Sequence, residues 1–126
     1  MSKLIAVQGC TLEIVEEGKS ALSKQISTSP SSNVKFDGKG AYSGTLQIVL
    51  SEYTGGAIVS GSGATVTPGT LSGSAQYVKI DGNSAVLEGD TSDTITVFGL
   101  DSMGHSVTDT CTVKISDAGQ DYVKGE

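Results

Sequence analysis

The sequence has no arginine and no tryptophan, one histidine, two cysteines and two prolines in 126 residues. Without arginine the chain lacks the forked cation that grips phosphate with paired hydrogen bonds. Its eight lysines face fourteen acids, a net charge of −6. Nucleic acid calls for a basic face and is not an expected partner. With one histidine, a Ser–His–Asp relay has a single candidate base, His105, and no Gly-x-Ser-x-Gly elbow stands in a strand–turn–helix setting. Gly55-Gly56 and Gly61-Ser62-Gly63 lack the following Lys-Ser/Thr and helix of a phosphate loop. Glu16-Glu17 reads as a solvated turn. No catalytic residue is assigned, and the chain is not expected to be an enzyme. No apolar run approaches the roughly 18 residues of a membrane-crossing helix. Met1–Cys10 carries one lysine and an apolar stretch too short for a signal peptide, so the protein is expected either to stay in the cytoplasm or to leave by a route that uses no cleaved leader. In that setting Cys10 and Cys111 are expected as reduced thiols, although their parity also allows a disulfide.

Small and turn-forming residues fill the space. Gly (17), Ser (18) and Thr (13) together make 48 residues, while aromatics are 5 %. That composition disfavours a helical bundle and suits short strands joined by tight turns. Strands are expected at 3–9, 11–15, 45–50, 65–67, 94–98 and 108–115, with a brief one at 57–59 and turns at 61–64 and Pro68-Gly69. Ala21, Leu22 and Ile26 have weak helical spacing and allow one helical turn. Ala118–Glu126 is polar and expected to fray. About ten strands with turns every 8–12 residues make the chain all-β, read as one domain over 1–126.

The chain is organised around residues 77–90. Val78 and Ile80 alternate with Lys79, Asp81-Gly82-Asn83 supplies a hairpin turn, and Ala85, Val86 and Leu87 return. Residues 34–42, Val-Lys-Phe-Asp-Gly-Lys-Gly-Ala-Tyr, match residues 78–86, Val-Lys-Ile-Asp-Gly-Asn-Ser-Ala-Val, at five of nine positions with an offset of 44. Two hairpins with good turn chemistry would give some of this. A duplicated unit, near 29–44 and 72–90, accounts for it better.

His105 and Cys111 are zinc-type ligands six positions apart, with Asp101 or Asp109 near enough in sequence to add oxygen. Two ligands fall short of a tetrahedral site. The simpler alternative is an exposed loop histidine and a thiol buried on the Val113 and Ile115 side of its strand.

The stretches 29–41 and 72–90 resemble PAAR-like repeats, whose units run Gly-Ser-Pro, Val-x-Val-Asn/Asp-Gly-Lys-Pro-Ala and then Gly-Asp. The second copy keeps Gly89-Asp90. The first has Ser43-Gly44 without the Asp, and Gly40 and Ser84 stand where the family has proline. The resemblance spans about residues 29–100. It implies a small β-rich cone that caps and sharpens the trimeric spike of a contractile injection apparatus (type VI secretion, a phage tail or a related particle) and helps pierce a target envelope. Such tips can carry effector cargo; none is fused within these 126 residues. The implied partners are the trimeric spike, cargo and the envelope. The implied location is the cytoplasm until loading, then the tip of a secreted apparatus or virion tail. Many family members bind metal near the point through several His and a Cys, which only His105 and Cys111 match here, with zinc as the implied ion. Physical reasoning adds that the broad end must offer apolar groups, for which the runs at 3–7 and 46–50 are the candidates. Alternatively, Thr94–Phe98 with Cys111–Ile115 resembles the last two strands of a bacterial Ig-like sandwich, a binding or decoration module on a virion or cell surface. The chain lacks tryptophan, and its first cysteine is far from the second, so the antibody-type core signature is missing.

Overall fold

Val, Ile and Thr alternating with polar residues favour the extended backbone, and closely spaced glycines favour its reversal. A computed structural model describes residues 2–59, 65–66 and 69–126. The turn expected at 61–64 and Pro68 lie outside the described residues. The chain is all-β. Its strands are β1 (Lys3–Leu4), β2 (Thr11–Ile14), β3 (Ser20–Ile26), β4 (Lys35–Phe36), β5 (Lys39–Gly40), β6 (Thr45–Thr54), β7 (Thr65–Val66), β8 (Gly69–Ser72), β9 (Lys79–Ile80), β10 (Asn83–Ser84), β11 (Ile95–Leu100), β12 (Ser106–Cys111), β13 (Val113–Asp117) and β14 (Lys124–Gly125). Among the described residues they form two three-stranded sheets, β3–β6–β8 and β12–β11–β7, and four antiparallel pairs, β2–β13, β1–β14, β4–β5 and β9–β10.

Two clusters of buried side chains lie on opposite sides of one crossing point. The larger packs Leu12, Ile14, Leu46, Ile48, Leu71, Ile95, Val97 and Val113 between the long strands. The smaller gathers Ile5, Val7, Ala41, Ala75, Ile80, Ala85 and Leu87 among the short ones. The strand β6 shows how the sequence sets the larger core. Leu46, Ile48 and Leu50 alternate inward. Glu52 then takes a left-handed φ of 51°. The alternation changes phase there, and Tyr53 turns inward at 1 % exposure.

Three expectations are corrected. Residues 20–26 form an edge strand, not a helical turn: Ala21 opposes Tyr53 and Ile26 opposes Ile48, while Leu22 faces solvent. Ladder pairing with β6 outweighs the weak helical spacing. The C-terminus is not frayed, because Lys124 and Gly125 pair with Leu4 and Lys3, and Ala118 and Gln120 are buried. The apolar runs at 3–7 and 46–50 turn most of their side chains inward, with Val49 the exposed exception. Ile5, Val7, Leu46, Ile48 and Leu50 are all buried within the chain's own cores.

Candidate functional site

The two matching stretches fold alike. Asp37-Gly38 and Asp81-Gly82 all take positive φ (56° and 76°, 53° and 83°). This two-residue turn matches the right-handed twist of a hairpin. Phe36 opposes Lys39 and Lys35 opposes Gly40 in one hairpin; Ile80 opposes Asn83 and Lys79 opposes Ser84 in the other. A third pairing has the same register and no turn, with Lys3 opposite Gly125 and Leu4 opposite Lys124. The two ends of the chain stand where the other copies have Asp-Gly. The next hydrogen bond is also common to all three: Ala41 N to Val34 O, Ala85 N to Val78 O and Ile5 N to Val123 O, each 3.0 Å.

These three units close a ring. Ala6 N donates to Val86 O at 2.8 Å, Val86 N to Tyr42 O at 3.0 Å and Tyr42 N to Ala6 O at 3.0 Å. Two residues along each strand a second cycle runs in the opposite sense: Gln8 N to Gly40 O (2.8 Å), Gly44 N to Ser84 O (2.9 Å) and Glu88 N to Leu4 O (2.8 Å). The bridges Val7–Ala41, Ser43–Ala85 and Leu87–Ile5 lie between them. Each strand thus pairs with both others, and the crossing has pseudo-threefold symmetry. Ala6, Tyr42 and Val86 point into the larger core, while Ile5, Val7, Ala41, Ala85 and Leu87 point into the smaller. Three converging strands leave little volume at the axis, which suits alanine at 6, 41 and 85, each 0 % exposed.

The loops before the hairpins are held in related ways. Ser31 N donates to Ala41 O, and Ser31 Oγ accepts from Asn33 N and Val34 N. At the matching position Gln120 serves with its side chain. Nε2 donates to Ile5 O at 2.9 Å, and Oε1 accepts from Tyr122 N and Val123 N, both at 2.8 Å. In the middle unit Ala75 N donates to Ala85 O. There Asp90 Oδ2 accepts from Leu87 N at 2.8 Å and Ser74 N at 3.1 Å.

Sequence reading found two units and missed the third, which is split between the ends of the chain. A signal was present: Tyr122-Val123-Lys124 repeats Tyr77-Val78-Lys79.

The residues singled out for metal are not brought together. His105 lies beyond β12 in the connection from β11, exposed, with Nδ1 3.6 Å from Asp101 Oδ2. Cys111 is at the other end of β12, about 17 Å along an extended strand from its start. One ion cannot contact both. Asp101 Oδ1 already accepts from Met103 N and His105 N. Asp109 already holds a cation, Lys19, at 3.2 Å. Burial, opposed in part by nearby Lys19, pushes the Cys111 thiol up to about 11, away from the thiolate that binds metal. Cys10 and Cys111 are free thiols.

A second surface feature is a groove of about 670 Å³ lined by Ala57, Phe98, Leu100, Ser106, Val107 and Thr108 along the β11–β12 hairpin. Phe98 is half-exposed there. No family model, curated protein or solved structure matches the chain.

Proposed function

We propose that this chain is a spike tip, seated on the threefold axis of a homotrimer at the end of a contractile injection apparatus. One observation carries the reading: the closed ring through Ala6, Tyr42 and Val86. A single chain that meets a trimer on its axis must offer matching groups to three identical subunits. Three units related by a pseudo-threefold axis do so. The resemblance of 29–41 and 72–90 to PAAR-like repeats points to the same kind of partner on separate grounds.

The fold also suits mechanical load. At the crossing each strand is tied by backbone hydrogen bonds to two neighbours, so bending one strand breaks bonds to both. Small side chains keep the axis dense, and a dense interior has low compressibility. In this reading the chain waits in the cytoplasm, loads onto the spike and leads it into the target envelope, with any effector cargo attached. It performs no chemistry.

The test is to mix the protein with the trimeric spike of a contractile injection apparatus from the same source and weigh the product by light scattering. One chain per trimer is the expected result. A protein that stays monomeric beside an intact trimer sinks the reading and returns the question to an Ig-like surface module.

A further inference from the structure

Residues 2–8, 34–44, 78–88 and 123–126 make up the three units around the ring, and they hold five lysines and four acids. The rest of the chain holds three lysines and ten acids. The five lysines recur by position. Lys35, Lys79 and Lys124 occupy one rotation-related site in the three units, each beside the valine that accepts the common hydrogen bond. Lys39 and Lys3 occupy two of the three places at a second site, where the middle unit has Asn83. All five are exposed.

Elsewhere two of the three lysines are paired with acids, Lys19 with Asp109 and Lys114 with Glu13, and Lys24 has no ion pair among the described residues. None of the five has an ion pair among the described residues. Lys39 Nζ donates to Gly119 O and Lys79 Nζ to Ser84 Oγ, both neutral acceptors. A chain with an acidic excess has left its positive charges unpaired where its threefold repeat places them. Two units add an exposed aromatic at matching positions, Tyr77 at 78 % and Tyr122 at 82 %, with Asn33 in the third. Exposed tyrosine is a common anchor at protein interfaces.

From this we infer that these three stations are the docking surface for the trimer, and that each takes one copy of an acidic segment at the trimer's end. The inference rests on the tip reading above and adds the face, the contact residues and the charge of the partner. Opposite charge across the contact steers the two axes into register and rejects a basic or neutral end.

The experiment uses the full chain and the trimeric spike of a contractile injection apparatus from the same source. Lys35→Glu, Lys79→Glu and Lys124→Glu are combined in one variant, and Phe98→Ser is made separately to test the groove. The wild type is expected to bind one chain per trimer, more weakly as salt rises. The triple reversal is expected to weaken binding about a hundredfold or more. Its melting temperature should stay near the wild type's, since all three side chains are exposed. Phe98→Ser is expected to bind as the wild type does. Wild-type binding that survives the triple reversal, or that is lost in Phe98→Ser alone, overturns the docking face and leaves the tip reading standing. A wild type that ignores the trimer overturns both.

Discussion

Tyr53 donates its phenolic proton to Asp109 Oδ2 at 2.7 Å across 56 positions of sequence, joining β6 to β12. The other carboxylate oxygen accepts from Lys19 at 3.2 Å. Two glycines leave room for this link. A Cβ on Gly55 would stand 2.7 Å from the phenol oxygen, and one on Gly56 would stand 3.0 Å from Asp109 Oδ1. Gly55-Gly56, which looks like turn punctuation in the sequence, is also packing space. Tyr53→Phe keeps the buried ring and removes the bond, at a cost of about 1–2 kcal/mol. Asp109→Ala should cost more, because it leaves the buried phenol without a partner and Lys19 with the Thr110 carbonyl alone. Urea unfolding of the two variants checks the order, and equal midpoints would contradict it.

Stability should fall in acid. Thr70 N–H, and then its hydroxyl, hold Asp93 below the usual carboxylate range. Thr112 N–H does the same for Glu16. Burial pulls Asp109 upward, but the hydrogen bonds from Tyr53 and Lys19 outweigh it and leave the group lowered. A carboxylate with a lowered folded pKa binds fewer protons when folded than when unfolded. Its contribution is present above the unfolded pKa and is lost as pH falls through the folded one. Stability should therefore be flat from neutrality to about pH 5 and decline below about pH 4. Asp93→Asn should be less stable than the wild type at neutral pH, and that gap should close in acid. Urea midpoints over a pH series would show it; a gap independent of pH excludes the ionised Asp93 as its source.

Two glycine substitutions separate backbone strain from crowding. Gly38 takes φ +76° with nothing within 4 Å of a Cβ, so Gly38→Ala costs only the left-handed conformation, about 1 kcal/mol. A Cβ on Gly73 would overlap the Ser84 carbonyl oxygen and stand 2.8 Å from that of Ala85. These are backbone atoms that cannot swing aside. Gly73→Ala should cost about 3 kcal/mol or more, as overpacking without relief does. Thermal melts of both variants measure the difference. A Gly73→Ala protein as stable as Gly38→Ala would mean that the strand moves freely there.

The parts of the fold that were legible in the sequence are those governed by nearby residues. Asp-Gly turns, alternation in β6 and β11, and inward Cys111, Val113 and Ile115 all follow from local pattern, and the structure has each of them. Residues 20–26 misled because an edge strand buries only part of one face, which leaves Leu22 exposed and the period blurred. The candidate site was legible in two-thirds. Its third unit joins residues 123–125 to residues 3–5, and no window along the sequence contains both. The polar end segment Ala118–Glu126 looks unstructured for the same reason: the partners that order it, from Glu88 back to Lys3, are tens of positions to more than a hundred away.

Gln120 is the strongest test of that split unit. Its side chain, 4 % exposed, donates to Ile5 O and Val123 O and accepts from Tyr122 N and Val123 N. An alanine there leaves the buried Ile5 O without its donor and frees the part-buried Tyr122 and Val123 N–H groups, while Val123 O keeps the bond from Ile5 N. Leaving one buried carbonyl unsatisfied costs about 1–3 kcal/mol, so Gln120→Ala should lose at least that much. The loss should also be local first. Amide exchange should quicken at Ile5, which donates to Val123 O, before it quickens at Ala41 and Ala85, which make the matching bonds in the intact hairpins. Those two units keep their turns, whereas the third is held by pairing of the chain ends alone. Uniform exchange across Ile5, Ala41 and Ala85 would mean that the ring opens as one body and that Gln120 supports all three units equally. Faster exchange at Ile5 alone would make the junction of the termini the weak point of the ring.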